Sequence, residues 1–473
     1  MDIRRTDLDG LETFWAEGDG PARAWLVFRV GALDETLLTR GISRLAAGVA
    51  LEGVDDGSAA YGSFAGVPTT TFELDGTRDE VISVLRHVWG RLASPRAASL
   101  EPTREREIRY SGWRVPDGID QLLALRFGPR GAGLAGQPEL GLHHVDWEAV
   151  GAWTERFFVP RNAALALVNV SPDDVRLPSR SQGEWQPPPG PGTARVPLPA
   201  WSEDRAGDAA AASILPGTGA ADAFASAAAE RLRRRLGAGY EVGVAAVRLW
   251  PGLDHVAIHC TFPGGSGEDV PDAYVAVVED LASDGPTAGE IAARHERLRE
   301  WRASPESVYS RLEWAPQRHV LDPSGATPDA LDETDPPAPE AAAEAAREFA
   351  STSLYLLPPG AGMPSEYHHL PRSSPGAIEG NAYARADGDA SASLVVGEEG
   401  VSMTRGARRV TIRFDACEAA ASWPDGTVDL YGSDGFGAQI RPHEWVDGAS
   451  ALEAVRTRLT GRTVTMRRPR AAS

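Results

Sequence analysis

One stretch limits the fold more than any other. From Ser171 the chain reads "SPDDVRLPSRSQGEWQPPPGPGTARVPLPAWSEDRAGD" to Asp208. Proline fixes φ and removes a backbone donor, and glycine costs conformational entropy to order, so a run this rich in both resists regular structure. It reads as a linker over residues 173–207 that separates an N-terminal unit from the rest of the chain. Two further breaks lie downstream: the acidic "DPSGATPDALDETDPPAPE" (Asp322 to Glu340) and "LPPGAGMPSEYHHLPRSSPG" (Leu357 to Gly376).

Between these breaks the hydrophobic periodicity alternates between strand and helix. Residues 1–172 contain the strand "ARAWLVFRVG", a helix over Arg40 to Leu51, the strand "GVPTTTFELDG", the amphipathic helix "TRDEVISVLRHVWGRLASP", a helix around "EPTREREIRYSG" and the buried strand "NAALALVNVSP". Residues 208–360 repeat the recipe. They hold strand "DAAAASILPG", helix "ADAFASAAAERLRRRLG", strands "YEVGVAAVRLWPG" and "DHVAIHCTFPGG", helices "VPDAYVAVVEDLAS" and "AGEIAARHERLREW", and strand "STSLYLLPPG". Two α+β halves in similar order imply an internal duplication, although no literal repeat is visible. Residues 377–467 differ: short strands joined by turns such as "PDG" and "SDG", then one amphipathic helix, "GASALEAVRTRLTG". That order resembles a pleckstrin-homology-like antiparallel β-barrel closed by a terminal helix.

Composition excludes several classes of function. The 473 residues carry a formal net charge of −20, which argues against nucleic acid or an anionic membrane surface as partner. No segment has the roughly 18 apolar residues of a spanning helix, and the N-terminus lacks a signal-peptide core, so a cytoplasmic location without membrane insertion is expected. Two cysteines, Cys260 and Cys417, are too few for a disulfide framework and fit a reducing compartment.

The first half carries one helix that is apolar and small on nearly every side, yet keeps an arginine, Arg44, within "VGALDETLLTRGISRLAAGVALEG". This stretch resembles the first signature of the insulinase/pitrilysin family, the zinc peptidases with the inverted H-x-x-E-H motif. Gly31, Glu35, Gly41, Ile42 and Gly53 stand in register with it. The three chemical positions do not: the first histidine falls on Arg44, the glutamate on Ala47 and the second histidine on Gly48. Family chemistry needs two neutral imidazoles to hold zinc and a carboxylate to act as base on its water. A guanidinium offers donors only. The third ligand of the family falls near Ser111 or Gly112, which supply no carboxylate. The resemblance therefore implies a chain that binds no metal of its own, with Arg44 capping or salt-bridging the former cleft floor.

Other pieces stand in family order. "FFVPRNAALALVNVSPDD" resembles the Y-x-P-x-N strand entry, with Phe158, Pro160 and Asn162 in place, and "ERLRRRLGAGYEVGVAA" resembles the second-half motif in which an arginine and a tyrosine face the cleft. Arg233 and Tyr240 have that seven-residue spacing, with Gly237 and Gly239 shaping the turn. The resemblance covers residues 1 to 360 and implies two homologous αβ halves of the insulinase and mitochondrial-processing-peptidase fold. An equally simple reading is that Arg231, Arg233, Arg234 and Arg235 complement a helix C-terminus and face solvent, and that Tyr240 is an ordinary strand residue.

The histidines offer no alternative metal site. His143 and His144 with Asp146 read as cap and surface residues before a helix. His255 and His259 share a strand face but sit roughly 13 Å apart, and His368 and His369 fall in a linker. The family resemblance thus implies a non-catalytic subunit of a two-chain peptidase. Arg233 and Tyr240 would clamp a peptide substrate in trans, and zinc would sit on an H-x-x-E-H partner in a heterodimer. The alternative is a pseudo-peptidase, self-associated or not, that binds peptides or scaffolds partners without turnover.

Overall fold

The computed structural model describes the chain except for residues 1–2, 19, 55–58, 96–99, 112–117, 204–207, 263–266, 268, 326–334 and 468–473. The first half runs β1 (Arg4–Leu8), β2 (Leu11–Ala16), β3 (Ala22–Phe28), α1 (Ile42–Leu51), β4 (Ala60–Ala65), β5 (Thr70–Gly76), α2 (Arg78–Ala93), α3 (Leu100–Ser111), α4 (Gly118–Phe127), α5 (Trp147–Phe157) and β6 (Ala163–Val168). The second half runs β7 (Ala200–Glu203), β8 (Ala209–Pro216), α6 (Gly219–Leu236), β9 (Glu241–Trp250), β10 (Leu253–Thr261), α7 (Val270–Asp284), α8 (Ala288–Ala303), α9 (Glu306–Leu321), α10 (Pro339–Thr352), β11 (Leu354–Leu357) and β12 (His368–His369).

The duplication expected from element order is present in the hydrogen bonding. One sheet has the order β1-β2-β6-β3-β5-β4 and the other β12-β7-β11-β8-β10-β9. Apart from the outermost strands β1 and β12, the two orders superimpose. In each, the second strand pairs in parallel with the last long one, β2 with β6 and β7 with β11, while the pairings from there to the far edge are antiparallel.

The central strands of each sheet are buried on both faces, and alternate residues serve different layers. In β3, Ala24, Leu26 and Phe28 join the core under α1, α2 and α5, whereas Trp25 and Val27 meet Val308 and Leu312 of α9 on the other side. In β8, Ala209 and Ala211 pack under α6, α7 and α10, whereas Ala210 and Ala212 meet Leu122 of α4. The halves therefore exchange helices: α4 covers the sheet of the second half and α9 covers the sheet of the first. This double burial explains why β6 reads "AALALV" with every residue buried. Two helices start with capping boxes, Thr77 with Glu80 on α2 and Thr287 with Glu290 on α8.

Two expectations need correction. The stretch 173–207 is not all linker, because Ala200–Glu203 forms β7; four residues suffice when β11 offers an open parallel edge. The second half does not stop at residue 360, because His368 and His369 form β12 on the outer edge of β7. The N-terminal hairpin β1–β2 was not anticipated, although its turn is the dipeptide Asp9–Gly10, both at positive φ.

The C-terminal region builds two four-stranded sheets around one core. β13 (Asn381–Ala384), β14 (Ala392–Val396), β15 (Gly400–Arg405) and β16 (Arg408–Arg413) form an antiparallel meander, and β17 (Cys417–Ser422), β18 (Val428–Gly432) and β19 (Gly437–Ile440) form a second. Leu394, Val401 and Ile412 of the first meet Leu430 and Ile440 of the second beneath Leu452 and Val455 of α11 (Gly448–Arg458). The helix is not the end of the unit: β20 (Thr463–Thr465) returns to pair in parallel with β17. Among the described residues no helix is long and apolar enough to cross a membrane.

Candidate functional site

The entrance to α1 is held by charge rather than by a capping side chain. Gly41 precedes the helix at φ 98°, where an L side chain is strained and where a Cβ would also press on Leu142 and Glu139. The Glu35 carboxylate accepts from the backbone N–H groups of Gly41 (2.9 Å) and Ser43 (3.0 Å), two donors that the first turn leaves unpaired. Glu35 also accepts from Arg40 Nη1 at 2.9 Å, and Arg40 Nε donates to the Leu134 carbonyl at 2.9 Å. Burial, the largest influence, works to lower the Arg40 pKa, but Glu35 and Glu139 outweigh it and the net direction is up.

The positions that resemble the metal motif lie just beyond. Arg44 Nε donates to Glu139 Oε1 at 2.9 Å, and Arg40 lies 3.5 Å from the same oxygen. Ala47 is 1% exposed in the core, and Gly48 is buried against α3. A Cβ on Gly48 would stand 2.9 Å from Glu107 Oε1 and 2.9 Å from Thr103 Cγ2, while Arg106 Nη2 donates to the Gly48 carbonyl at 3.1 Å. The absence of a side chain at position 48 is what lets α3 close onto α1.

Glu107 is the residue that sequence reasoning missed. The expected third-ligand position was near Ser111 or Gly112; Ser111 ends α3 with its hydroxyl on the Ile108 carbonyl, and Gly112 lies outside the described residues. Glu107 sits one helical turn before Ser111, on the same side of α3. Burial pushes its carboxyl up, opposed by the neighbouring Arg106 and then Arg44. The resulting cluster is Glu35, Arg40, Arg44, Arg106, Glu107 and Glu139. It is a closed set of alternating charges, with one buried oxygen, Glu139 Oε2, left without a hydrogen bond. Such a set does not fit a divalent cation. Two of the three motif side chains offer no lone pair, the third is a permanent cation, and the carboxylates are already neutralised by guanidinium groups. Among the described residues no three His, Cys, Asp or Glu side chains converge as metal ligands.

Arg233 and Tyr240 lie at the junction of α6 and β9. Arg233 occupies the last turn of α6; its Nη1 donates to Glu230 at 2.6 Å and its Nη2 to the Val242 carbonyl at 2.8 Å. Gly237 ends the helix at φ 88° with its N–H on the Arg233 carbonyl. Tyr240 packs its ring 5.9 Å from Phe262, centroid to centroid, at the rim of the second-half core. Arg231, by contrast, faces inward to a two-bond pair with Glu290, which holds that carboxyl down at about 2 through its hydrogen bonds to Arg231.

Asp146 caps α5 as expected, accepting from Ala149 N–H at 2.9 Å. His144 Nε2 bonds the Leu38 carbonyl at 2.7 Å. His143 is not a surface residue: it is buried, and its Nδ1 accepts from the backbone N–H of Arg467. His255 and His259 do share a face of β10, turned towards α4. Burial, and secondarily the Arg126 charge, pushes His255 down to about 3. Cys260 and Cys417 are free and buried, and burial raises both thiols, Cys260 to about 11, which makes them poor nucleophiles.

The C-terminal unit is seated on the segment that carries Glu139. Ala419 and Ala421 of β17 with Val464 and Met466 pack on Ala32, Leu37, Leu134 and Leu140. Arg467 Nε donates to the His143 carbonyl at 2.8 Å and its Nη1 reaches Glu101 of α3 at 2.5 Å. One side of the 131–143 segment thus faces Arg40 and Arg44, and the other faces the C-terminal unit.

No family model matches the sequence, and no curated protein sequence matches it. Solved structures do. An inactive domain of an M16 peptidase from Pseudomonas fluorescens matches with a TM-score of 0.56 at 12% identity, over 78% of this chain and 100% of that one. An insulinase-family protease from Yersinia pestis matches with a TM-score of 0.51 at 15% identity, over 77% of this chain and 94% of that one. Pitrilysin matches with a TM-score of 0.54 at 12% identity, over 76% of this chain and 45% of its own length. The two-half unit has the fold of the insulinase-type peptidases.

Proposed function

We propose that this chain is a non-catalytic subunit of a two-chain insulinase-like zinc peptidase. The observation that carries the reading is the ionic cluster on α1, where Arg44, Ala47 and Gly48 stand in place of two imidazoles and a carboxylate. The similar Pseudomonas chain is itself described as an inactive domain. In this reading zinc resides on a partner chain with an intact H-x-x-E-H motif. Arg233 and Tyr240 serve from the end of α6 as hydrogen-bond donors to the carbonyl of a bound peptide, or to the oxyanion that forms from it. The partner supplies all bond-breaking chemistry; this chain binds and orients.

The experiment is reconstitution. The purified chain alone shows no chelator-sensitive hydrolysis of unfolded peptides, and adding a zinc-motif partner produces it. Robust zinc-dependent cleavage by the chain alone, or failure of every zinc-motif chain encoded beside it to associate, overturns the proposal.

A second reading is favoured by a different observation. Both donor arms of Arg233 are already engaged, by Glu230 and by the Val242 carbonyl, and the C-terminal unit is seated on the 131–143 segment. This suits a pseudo-peptidase that scaffolds partners, with the pleckstrin-homology-like C-terminal unit as its docking module. A stable homodimer indifferent to substitution of Arg233 and Tyr240 selects this reading over the first.

A further inference from the structure

The C-terminal unit meets the first half through apolar side chains, but the chain beyond β20 is fastened at a titratable group. His143, 9% exposed, ends the short turn Leu140–His143, which packs against α1, α3 and β20. Its Nδ1 accepts from the backbone N–H of Arg467 at 3.2 Å, and its carbonyl accepts from Arg467 Nε at 2.8 Å. The first of these bonds exists only while Nδ1 carries no proton, because an imidazolium has two donors and no acceptor. The charges around the ring work against a proton. From α3, the Arg104 guanidinium, 2% exposed, donates to the Leu142 carbonyl at 2.5 Å and to the Val145 carbonyl, on either side of His143. From beyond β20, the Arg467 charge is close enough to lower the Arg104 pKa, second only to burial. Against these two cations stands Glu101 of α3, shared between Arg104 Nε at 3.2 Å and Arg467 Nη1 at 2.5 Å. The other charged and titratable neighbours are engaged elsewhere: Asp146 caps α5, His144 bonds the Leu38 carbonyl, and Arg44 of α1 is turned to Glu139.

We propose that His143 is a proton-sensitive latch, which holds the Arg467 end of the C-terminal unit on the first half at neutral pH and releases it on acidification. The sign follows from linkage. The latched arrangement keeps Nδ1 free of a proton, whereas an exposed imidazole takes one up near pH 6.5. The latch is therefore complete above about pH 6.5 and weakens by up to about tenfold per pH unit below it. Release is local. Ala419, Ala421 and Val464 keep their apolar seat on Ala32, Leu37, Leu134 and Leu140, none of which titrates. What lifts is the end of the chain at Arg467, and with it the second cation on Glu101.

The test is hydrogen exchange of the full chain, followed by mass spectrometry over residues 463–467 and corrected for the intrinsic exchange rate at each pH. Protection of this segment in the wild type is expected to fall about tenfold between about pH 7.5 and 5.5. His143→Gln, whose amide oxygen accepts at any pH, is expected to hold its protection constant over that range, and His144→Gln to keep the wild-type slope. Should His143→Gln fold poorly, nitrogen NMR of the histidine-labelled wild type decides instead: the His143 ring is expected to take up its proton over the same pH range in which the segment loses protection. Protection that does not change with pH, a fall confined to the carboxylate range below about pH 5, an unchanged slope in His143→Gln, loss of the slope in His144→Gln, or a His143 ring that titrates without loss of protection overturns the proposal.

Discussion

Arg44 donates from Nε to Glu139 Oε1 across 2.9 Å, and this bond ties α1 to the segment in front of it. The helix keeps an arginine because Glu139, 8% exposed at its side chain, and Glu107 beside Gly48 need a positive charge in a buried place. Arg44→Ala is expected to lower stability by about 2 kcal/mol, less than the 3–5 kcal/mol of a broken isolated buried pair, because Arg40 still neutralises Glu139. Urea unfolding midpoints of the wild type, Arg44→Ala and Arg44→Lys decide it, with the lysine variant intermediate. Unchanged midpoints would show that the cluster stabilises nothing.

Leu312 of α9 is fully buried against the sheet of the first half, although α9 belongs to the second. Leu312→Ala is expected to cost about 2–5 kcal/mol. Because α4 and α9 each complete the other half's core, calorimetry should show the two halves melting together in the wild type and in the variant. Separate transitions for the two halves would contradict the helix exchange.

His255 is 2% exposed and its folded-state pKa is depressed to about 3, chiefly by burial. The unfolded chain takes up a proton below about pH 6.5 that the folded chain refuses until about pH 3, so the stability contribution is complete above pH 6.5 and is lost as pH falls. The loss is up to about 1.4 kcal/mol per pH unit across that window. His255→Gln removes this component, so the difference between wild-type and variant stability should narrow between pH 6.5 and 4. Parallel curves across that window would refute the assignment.

Arg233 makes only half-exposed bonds, so its removal separates function from folding. Arg233→Ala is expected to change stability by less than about 0.5 kcal/mol, yet to lower reconstituted peptidase activity by about 10²–10³. Tyr240→Phe should act in the same direction without loss of the Phe262 contact. Reconstituted activity insensitive to both substitutions would remove the clamp and leave the scaffold.

The long, strongly periodic elements were legible from sequence, α2, α6, α7 and β6 among them, because each buries a continuous stripe or run. What escaped detection depends on distant partners. α4 and α9 carry apolar residues that make sense only against the opposite half's sheet, and Pro316 interrupts the helical pattern of α9. β7 is a four-residue strand inside a proline-rich stretch, held by β11 more than 150 residues later. Glu107 is not marked by any sequence pattern, because only the packing of α3 on α1 brings it against Gly48. The Asp9–Gly10 hairpin is the opposite case, because its turn signal is entirely local.

The swap of α4 and α9 also sets an order of events during synthesis. When the ribosome has released the first half, the far side of its sheet still lacks Val308, Leu312 and Val320, which emerge only after well over a hundred further residues. Trp25 and Val27 must therefore wait, exposed, while the α4 helix waits for a sheet not yet made. A nascent chain of this design stays sticky late into translation and is a natural client for a chaperone at the tunnel exit.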